Sequence, residues 1–169
     1  RRFHAQPIAC NSCGPSCEFT DGVNIITGLH EIIDRTAAMI DGGGSVALKG
    51  VGGYHLACDA LNDDAVTKLR AGKNRDMKPF AVMFRDMAAL REYCHADANE
   101  KRELLSWIKP VVILRSKKPL APHVSNGLGT TGAFLPFMPF HYLLFRKLNT
   151  PVIVLTSGNI SDEPVITGD

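Results

Sequence analysis

No stretch of this chain approaches the roughly 18 consecutive apolar residues that cross a bilayer as a helix, so no membrane-spanning segment is expected. No secretory leader shows either, since Arg1-Arg-Phe-His4 runs into Gln6-Pro7 and a cysteine pair instead of an apolar core. There are five cysteines. An odd count without an export signal predicts a reducing, cytoplasmic setting and no disulfide framework. The sequence does not begin with methionine, and both ends read as cut from a longer protein. A formal net charge of +2 says little about partners. GxGxxG, P-loop and GxSxG motifs are missing, and no H-x-x-x-H or H-E-x-x-H pair offers a catalytic zinc site.

What is present suits a single globular domain with a sizeable core: 169 residues, 45% hydrophobic and 21% charged. Leu29, Ile32, Ile33, Thr36, Ala37 and Ile40 fall on one helix face, and Gly42-Gly-Gly44 stops that helix. Val46-Ala-Leu48 reads as a strand. Asn62-Asp-Asp64 caps a helix through Ala65, Val66 and Leu69 that ends near Gly72. Phe80 to Phe84 reads as a strand covered on both faces. Asp86 caps a helix through Tyr93. A further helix is predicted from about Ala98 to Ile108, with Leu104, Leu105 and Ile108 inward, followed by a buried strand at Val111–Leu114. Lys117 to Thr131, with two prolines and two glycines, reads as a long mobile loop. Gly132 to Pro139 leads into a helix from about Phe140 to Leu148, and Pro151 to Thr156 is the most strand-like run. Alternating strands and helices predict an α/β sheet with helices on both faces.

Three segments next to strands can hold a ligand, as strand ends do in open α/β sheets. After Val46-Ala-Leu48, Lys49 leads into Gly50, Gly52 and Gly53, glycines that let a ligand approach the main chain closely. Lys49, Tyr54 and His55 bracket that turn with charge, stacking and proton-transfer groups; a tight turn with no ligand is the competing reading. Lys68, Arg70, Lys73, Arg75 and Lys78 form the densest basic cluster. Within it Lys73 and Arg75 suit phosphate oxygens, or else merely end a helix with favourable charge. Ser157 and Asn159 flank a glycine after the last strand and suit a carbonyl or phosphate, or else cap a turn. His141, at a helix start, reads as a packing or capping residue. From these residues alone the chain is an α/β domain with an anion-binding cleft.

Cys10-Asn-Ser-Cys13-Gly-Pro15 has the knuckle spacing of zinc sites. Cys17, His4 and His30 lack the spacing of a second pair, so Cys10 and Cys13 read as the closing half of a four-cysteine finger. Two free thiols in a loop are the alternative.

Lys-x-Arg ahead of a proline and a buried strand, followed later by Ser-x-Asn after a Val/Ile-rich strand, resembles the YrdC-like domain of the threonylcarbamoyl-AMP synthases. Five motifs in order are similar to the carbamoyltransferases of [NiFe] hydrogenase maturation, the HypF family. They are Arg1-Arg-Phe-His-Ala-Gln-Pro7, Cys10-x-x-Cys-Gly-Pro15, the stretch from Lys49 to Ala60, Leu135-Pro-x-x-Pro-x-His141 and Thr156-Ser-Gly-Asn159. The resemblance implies a twisted mixed sheet. It divides the chain into residues 1–19, the end of a finger with Cys10 and Cys13 as zinc ligands, and 20–169, a YrdC-like nucleotide-binding domain completed downstream. The implied parent also carries an acylphosphatase domain, another finger and a carbamoyl-transfer domain.

In that family, carbamoyl phosphate is hydrolysed to carbamate, which reacts with ATP to give carbamoyl-AMP and pyrophosphate. Mg2+ accompanies the nucleotide. The carbamoyl group then passes to the C-terminal cysteine of an acceptor maturation protein and becomes the source of the iron-bound cyanide. Carried over by motif, Lys73 and Arg75 hold triphosphate and carboxylate-like oxygens, and Ser157 and Asn159 position the nucleotide phosphate. Tyr54 stands at the tyrosine of the synthases' Pro-Thr-Asp-Thr-x-Tyr motif, while Lys49, Gly50 and Gly52 replace its proline and two threonines. Lys49, Tyr54, Lys73 and Arg75 are the implied catalytic set, and loss of the threonines implies a smaller acyl donor. The alternatives are a threonylcarbamoyl-AMP synthase for tRNA modification and a non-enzymatic RNA-binding module. The basic cluster has no interleaved aromatics to favour the latter.

Overall fold

The computed structural model describes residue 14, residues 16–159 and residues 164–168. Two short strands, β1 (Phe19–Thr20) and β2 (Ile25–Ile26), pair antiparallel around a turn in which the Asp21 carboxylate accepts the amides of Val23 and Asn24. The remaining elements are α1 (Leu29–Asp41), β3 (Val46–Gly50), β4 (Gly53–Asp59), α2 (Asp63–Gly72), β5 (Ala81–Phe84), α3 (Met87–Tyr93), α4 (Ala98–Leu105), β6 (Val112–Arg115), α5 (Pro122–Ser125), β7 (Thr130–Phe134), α6 (Pro139–Phe145) and β8 (Val152–Ser157).

Six strands form one mixed sheet in the order β3-β4-β8-β5-β7-β6. Only β5 and β7 run parallel; the other neighbours are antiparallel. Alternation along the central strands feeds two cores, because successive side chains leave a strand on opposite faces. Val152 and Val154 of β8 join Val82, Phe84, Val66, Leu90, Leu104 and Val124 on the face covered by α2 to α5. Ile153 and Leu155 join Met83, Ala37, Ile40, Leu144 and Phe145 under α1 and α6. Helices therefore lie on both faces, as expected.

The expected caps are made. Asn62 accepts the Ala65 amide and Asp86 the Ala89 amide; a capping box of Asp97 with Glu100, which was not expected, starts α4.

Four expectations need correction. The glycine turn leads into a strand: Val51-Gly52 is the tip of a β3–β4 hairpin closed by the Gly50–Gly53 pair. Helix α4 stops at Leu105, and Leu105 and Ile108 are exposed, 49% and 64%. Pro110 disfavours helical geometry at Lys109, which takes φ +50 instead. Strand β6 is a sheet edge with Ile113 71% exposed, whereas a buried strand was expected. The segment 117–131 is fastened, not loose. Its α5 buries Val124, whose carbonyl accepts the Phe80 amide, and it runs straight into β7, a strand the sequence reading missed.

Candidate functional site

The Lys73 and Ser157-Gly-Asn159 segments, 84 residues apart in sequence, meet directly. The Lys73 side chain, only 2% exposed, follows the end of α2 inward beneath the turn after β8. Its ammonium donates to the Ser157 carbonyl at 2.6 Å, to the Asn159 carbonyl, and to Asn159 Oδ1 at 3.2 Å. Asn159 Oδ1 also accepts the Ser157 hydroxyl at 2.5 Å. Desolvation, with Arg75 nearby as a second cause, lowers the Lys73 pKa below the usual lysine range. Lys73 thus braces the turn from behind and fixes where Ser157 and Asn159 stand.

Arg70 organises the loop that follows α2. Its guanidinium reaches the carbonyls of Arg75, Asp76 and Lys78 through Nη1, and that of His123 through Nε and Nη2. It stacks on Phe80 at 4.6 Å. Sequence reading grouped Arg70 with the surface cations and missed this role; a planar fork next to a glycine-ended helix was the available signal. Arg75 turns back as well, with Nε donating to the Lys78 carbonyl and Nη2 to the Pro79 carbonyl, and its guanidinium lies 5.2 Å from the Phe80 ring centre. Two of the five cations in the basic cluster, Arg70 and Lys73, are buried.

Arg75 lines an open cavity of about 400 Å³. Its floor is the sheet face of His55, Leu155 and Ser157, and its rim includes Pro79, Lys109, Val111 and Phe137. Helices α1 and α6 cover the same face farther along. His55 sits opposite Leu48 on β3 and Ser157 on β8. Burial lowers its pKa below the ordinary imidazole value. Behind Phe137 lies His141, 3% exposed, its ring edge-on to Phe137 at 4.6 Å. Its Nδ1 is buried without a partner among the described residues, and burial pushes its pKa down to about 4, with His55 adding to the effect. His141 packs, as the sequence suggested.

The structure does not bring every candidate to this cavity. Lys49 and Tyr54 are cross-strand partners in the hairpin, with the Lys49 ammonium 5.5 Å from the Tyr54 ring centre. The pleat turns them to the opposite face from their neighbours Leu48 and His55. Tyr54 is tied to the turn after β8 through its main chain: its carbonyl accepts the Gly158 amide at 2.6 Å and its amide donates to the Ile166 carbonyl. Cys10 and Cys13 lie outside the described residues, and no group of three potential metal ligands occurs among the described residues. Ser116, Lys117 and Thr131 border a second hollow that contains none of the candidate residues.

Arranged this way, the cavity offers the Ser157 hydroxyl of a braced turn, one guanidinium and a neutral imidazole around an apolar floor, while Asn159 stands outside its lining. That set can hold an anion and a small planar group side by side.

Two family models match the chain: Sua5/YciO/YrdC, described as telomere recombination, over residues 38–169, and the HypF finger over residues 1–20. The carbamoyltransferase HypF of Rhodobacter capsulatus is 40% identical over 171 residues, covering 100% of this chain and 22% of that protein. The threonylcarbamoyl-AMP synthase of Hydrogenovibrio crunogenus is 30% identical, with 80% of this chain matching 76% of the synthase. A crystal structure of full-length HypF in the phosphate- and nucleotide-bound form superposes over 100% of this chain and 22% of its own, with a TM-score of 0.88 and 42% identity. The chain thus spans about a fifth of the length of the HypF proteins it matches. It belongs to the Sua5/YciO/YrdC family, as a HypF-type member with a HypF finger ahead of the YrdC-like domain.

Proposed function

We propose that this chain forms carbamoyl-AMP from ATP and carbamate within an ATP-dependent carbamoyltransferase that serves [NiFe] hydrogenase maturation. The observation that carries the reading is the Lys73-braced Ser157–Asn159 turn, whose Ser157 lines one cavity with Arg75. Charge-assisted donors around a fixed turn favour a triphosphate whose α-phosphorus is attacked in line. Ser157, Asn159 and Arg75 hold the phosphates in this reading, and Lys73 holds Ser157 and Asn159. The carbamate oxygen forms the new bond to the α-phosphorus, the α–β bridging bond breaks, and pyrophosphate leaves. Lys49 and Tyr54 belong to the proposal as the hairpin pair abutting that turn.

Residues 1–19 are the closing half of a four-cysteine finger in this reading, with Cys10 and Cys13 as ligands, and residues 20–169 the nucleotide-binding domain. Zinc would be structural and supplies no step. Mg2+ arrives with ATP and screens its phosphates. The substrate is carbamate released from carbamoyl phosphate, and the acceptor is a maturation protein with a C-terminal cysteine. A cytoplasmic location fits a reducing setting for that thiol, and no described helix is long and apolar enough to cross a membrane.

The competing reading is threonylcarbamoyl-AMP synthesis, supported by the family relationship. Gly50 and Gly52 weigh against it, because neither offers a hydroxyl to a threonine side chain. An RNA-binding surface is disfavoured by the burial of Arg70 and Lys73. Mass spectrometry of products from the full-length protein separates the enzymatic readings. ATP with carbamoyl phosphate should be consumed to AMP and pyrophosphate, and threonine with bicarbonate should give no threonylcarbamoyl-AMP. Threonylcarbamoyl-AMP as the major product would overturn the proposal.

A further inference from the structure

The His55 imidazole occupies space that only a glycine at position 50 leaves open. A Cβ built on Gly50 would lie 2.6 Å from His55 Nδ1 and 2.7 Å from Cε1. Real Cβ atoms do not approach ring atoms that closely, so any side chain at 50 would push the ring aside. Gly50 is in ordinary strand pairing with Gly53 and its φ is not positive. Backbone conformation therefore does not call for a glycine here; the imidazole does.

The ring reaches the cavity floor opposite Ser157. Among the described residues no protein group is recorded as its hydrogen-bond partner, and Arg75, Lys109 and the buried His141 are the titratable groups around it. Its burial lowers its pKa below the ordinary imidazole value, which keeps it neutral near pH 7. A neutral imidazole carries one acceptor nitrogen and one N–H donor. Arg75 and Lys109, by contrast, can only donate. His55 thus supplies an acceptor nitrogen to this cavity, beside the oxygen of the Ser157 hydroxyl, whose proton goes to Asn159.

We propose that His55, its ring lodged in the space that Gly50 leaves free, determines the acyl donor of this site by accepting a hydrogen bond from the unsubstituted NH2 group of a carbamate-type substrate. This inference rests on the adenylate-forming reading above. The donor class is a small planar anion with a carboxylate at one end and N–H donors at the other. The cations take the carboxylate and His55 takes the amino end. His55 moves no proton: the nucleophile is already an anion, and pyrophosphate carries away the electron pair of the broken bond. His55 is a binding and specificity residue, and its loss should appear in the KM of the donor rather than in that of ATP.

The test is ATP–pyrophosphate exchange by the full-length protein, with ammonium carbamate supplied directly so that hydrolysis of carbamoyl phosphate is bypassed. His55→Phe keeps the ring volume and removes both nitrogens. It should raise the donor KM about tenfold, the scale of one neutral hydrogen bond, and leave the ATP KM unchanged. His55→Gln restores an acceptor and should recover most of the loss. Gly50→Ala leaves the imidazole intact but displaces it, and should reproduce the His55→Phe effect. A wild-type donor KM in His55→Phe overturns the inference. If His55→Phe does not fold, a wild-type donor KM in Gly50→Ala overturns it equally. An equal rise in both KM values assigns His55 to general packing and also overturns it. Absence of carbamate-dependent exchange in the wild-type protein would sink the functional reading itself, a different result from exchange that ignores His55.

Discussion

The Lys73 ammonium donates a 2.6 Å hydrogen bond to the main-chain carbonyl of Ser157, so the residue nominated for phosphate binding holds the other nominated residues in place. Removing it leaves the Ser157 and Asn159 carbonyls without that donor in a buried position, and a hydrogen bond to a charged group contributes about 1.5–3 kcal/mol. Lys73→Met should therefore lose about 2 kcal/mol in urea unfolding and bind ATP about ten- to a hundredfold more weakly. Arg75→Ala should weaken ATP binding with a smaller stability loss, because its guanidinium is only partly buried. Equal and small stability losses in both would return Lys73 to an ordinary surface role.

Arg70 makes a geometric claim that a lysine cannot meet. Its fork reaches carbonyls of three residues in the loop after α2 and one in α5. Arg70→Lys keeps the charge and loses most of these bonds, so the loop from Lys73 to Pro79 should loosen. Limited proteolysis after the basic residues there should accelerate several-fold, with a cost of about 2 kcal/mol in stability. Unchanged cleavage would show that the stacking on Phe80 suffices.

Gly158 lies where two chains cross. A Cβ there would sit 2.8 Å from both Cβ and the carbonyl oxygen of Tyr54, atoms fixed by the β4–β8 pairing. Gly158→Ala should cost about 2 kcal/mol or more through backbone displacement. Gly52→Ala, with nothing within 4 Å of the added methyl, should cost far less. Thermal melts of the two variants side by side test this, and comparable losses would refute it.

His141 ties stability to pH. Its pKa is pushed down to about 4 in the folded protein against 6.5 as the ordinary value. Between those values the unfolded chain binds the proton and the folded protein does not, so stability falls as pH drops from 6.5 toward 4 and is level for this group above that window. The shift corresponds to about 3 kcal/mol when fully expressed. His141→Phe removes this dependence while keeping an aromatic ring beside Phe137. Its stability relative to wild type should therefore rise as pH is lowered from 7 to 4.5, and a constant difference across that range would exclude the mechanism.

Elements whose burial repeats with a clear period were legible. Helix α1 buries Ile32, Ile33, Thr36, Ala37 and Ile40, the positions its spacing marks, and β8 opens on the β-branched run Val152-Ile-Val154. Strand β4 was not, because Gly53-Tyr-His-Leu-Ala-Cys-Asp59 is enclosed by β3 and β8 and needs neither alternation nor β-branching to stay extended. Strand β7 hides similarly in Thr130-Thr-Gly-Ala-Phe134, whose small residues let Val111 pack across Gly132. At the site, the motif residues were legible by type but not by role. A lysine reads as solvated unless its acceptors are known, and those of Lys73 are main-chain carbonyls in a distant segment. His55 was noticed beside the glycine turn, yet its position over Gly50 depends on a hairpin that the sequence reading did not contain.

The place of β8 in the sheet sets the order in which the molecule can be made. It is the last of the described strands in sequence but lies third across, between β4 and β5. As the chain emerges from a ribosome, β4 and β5 therefore wait with bare hydrogen-bonding edges and apolar faces until residues 152–157 arrive. Such distant pairing makes folding slow and leaves those edges open to aggregation until residues 152–157 have been made. The same insertion carries Ser157 to Lys73, so the braced Ser157–Asn159 turn cannot form before β8 is in place. The braced turn arises in one step, together with closure of the sheet.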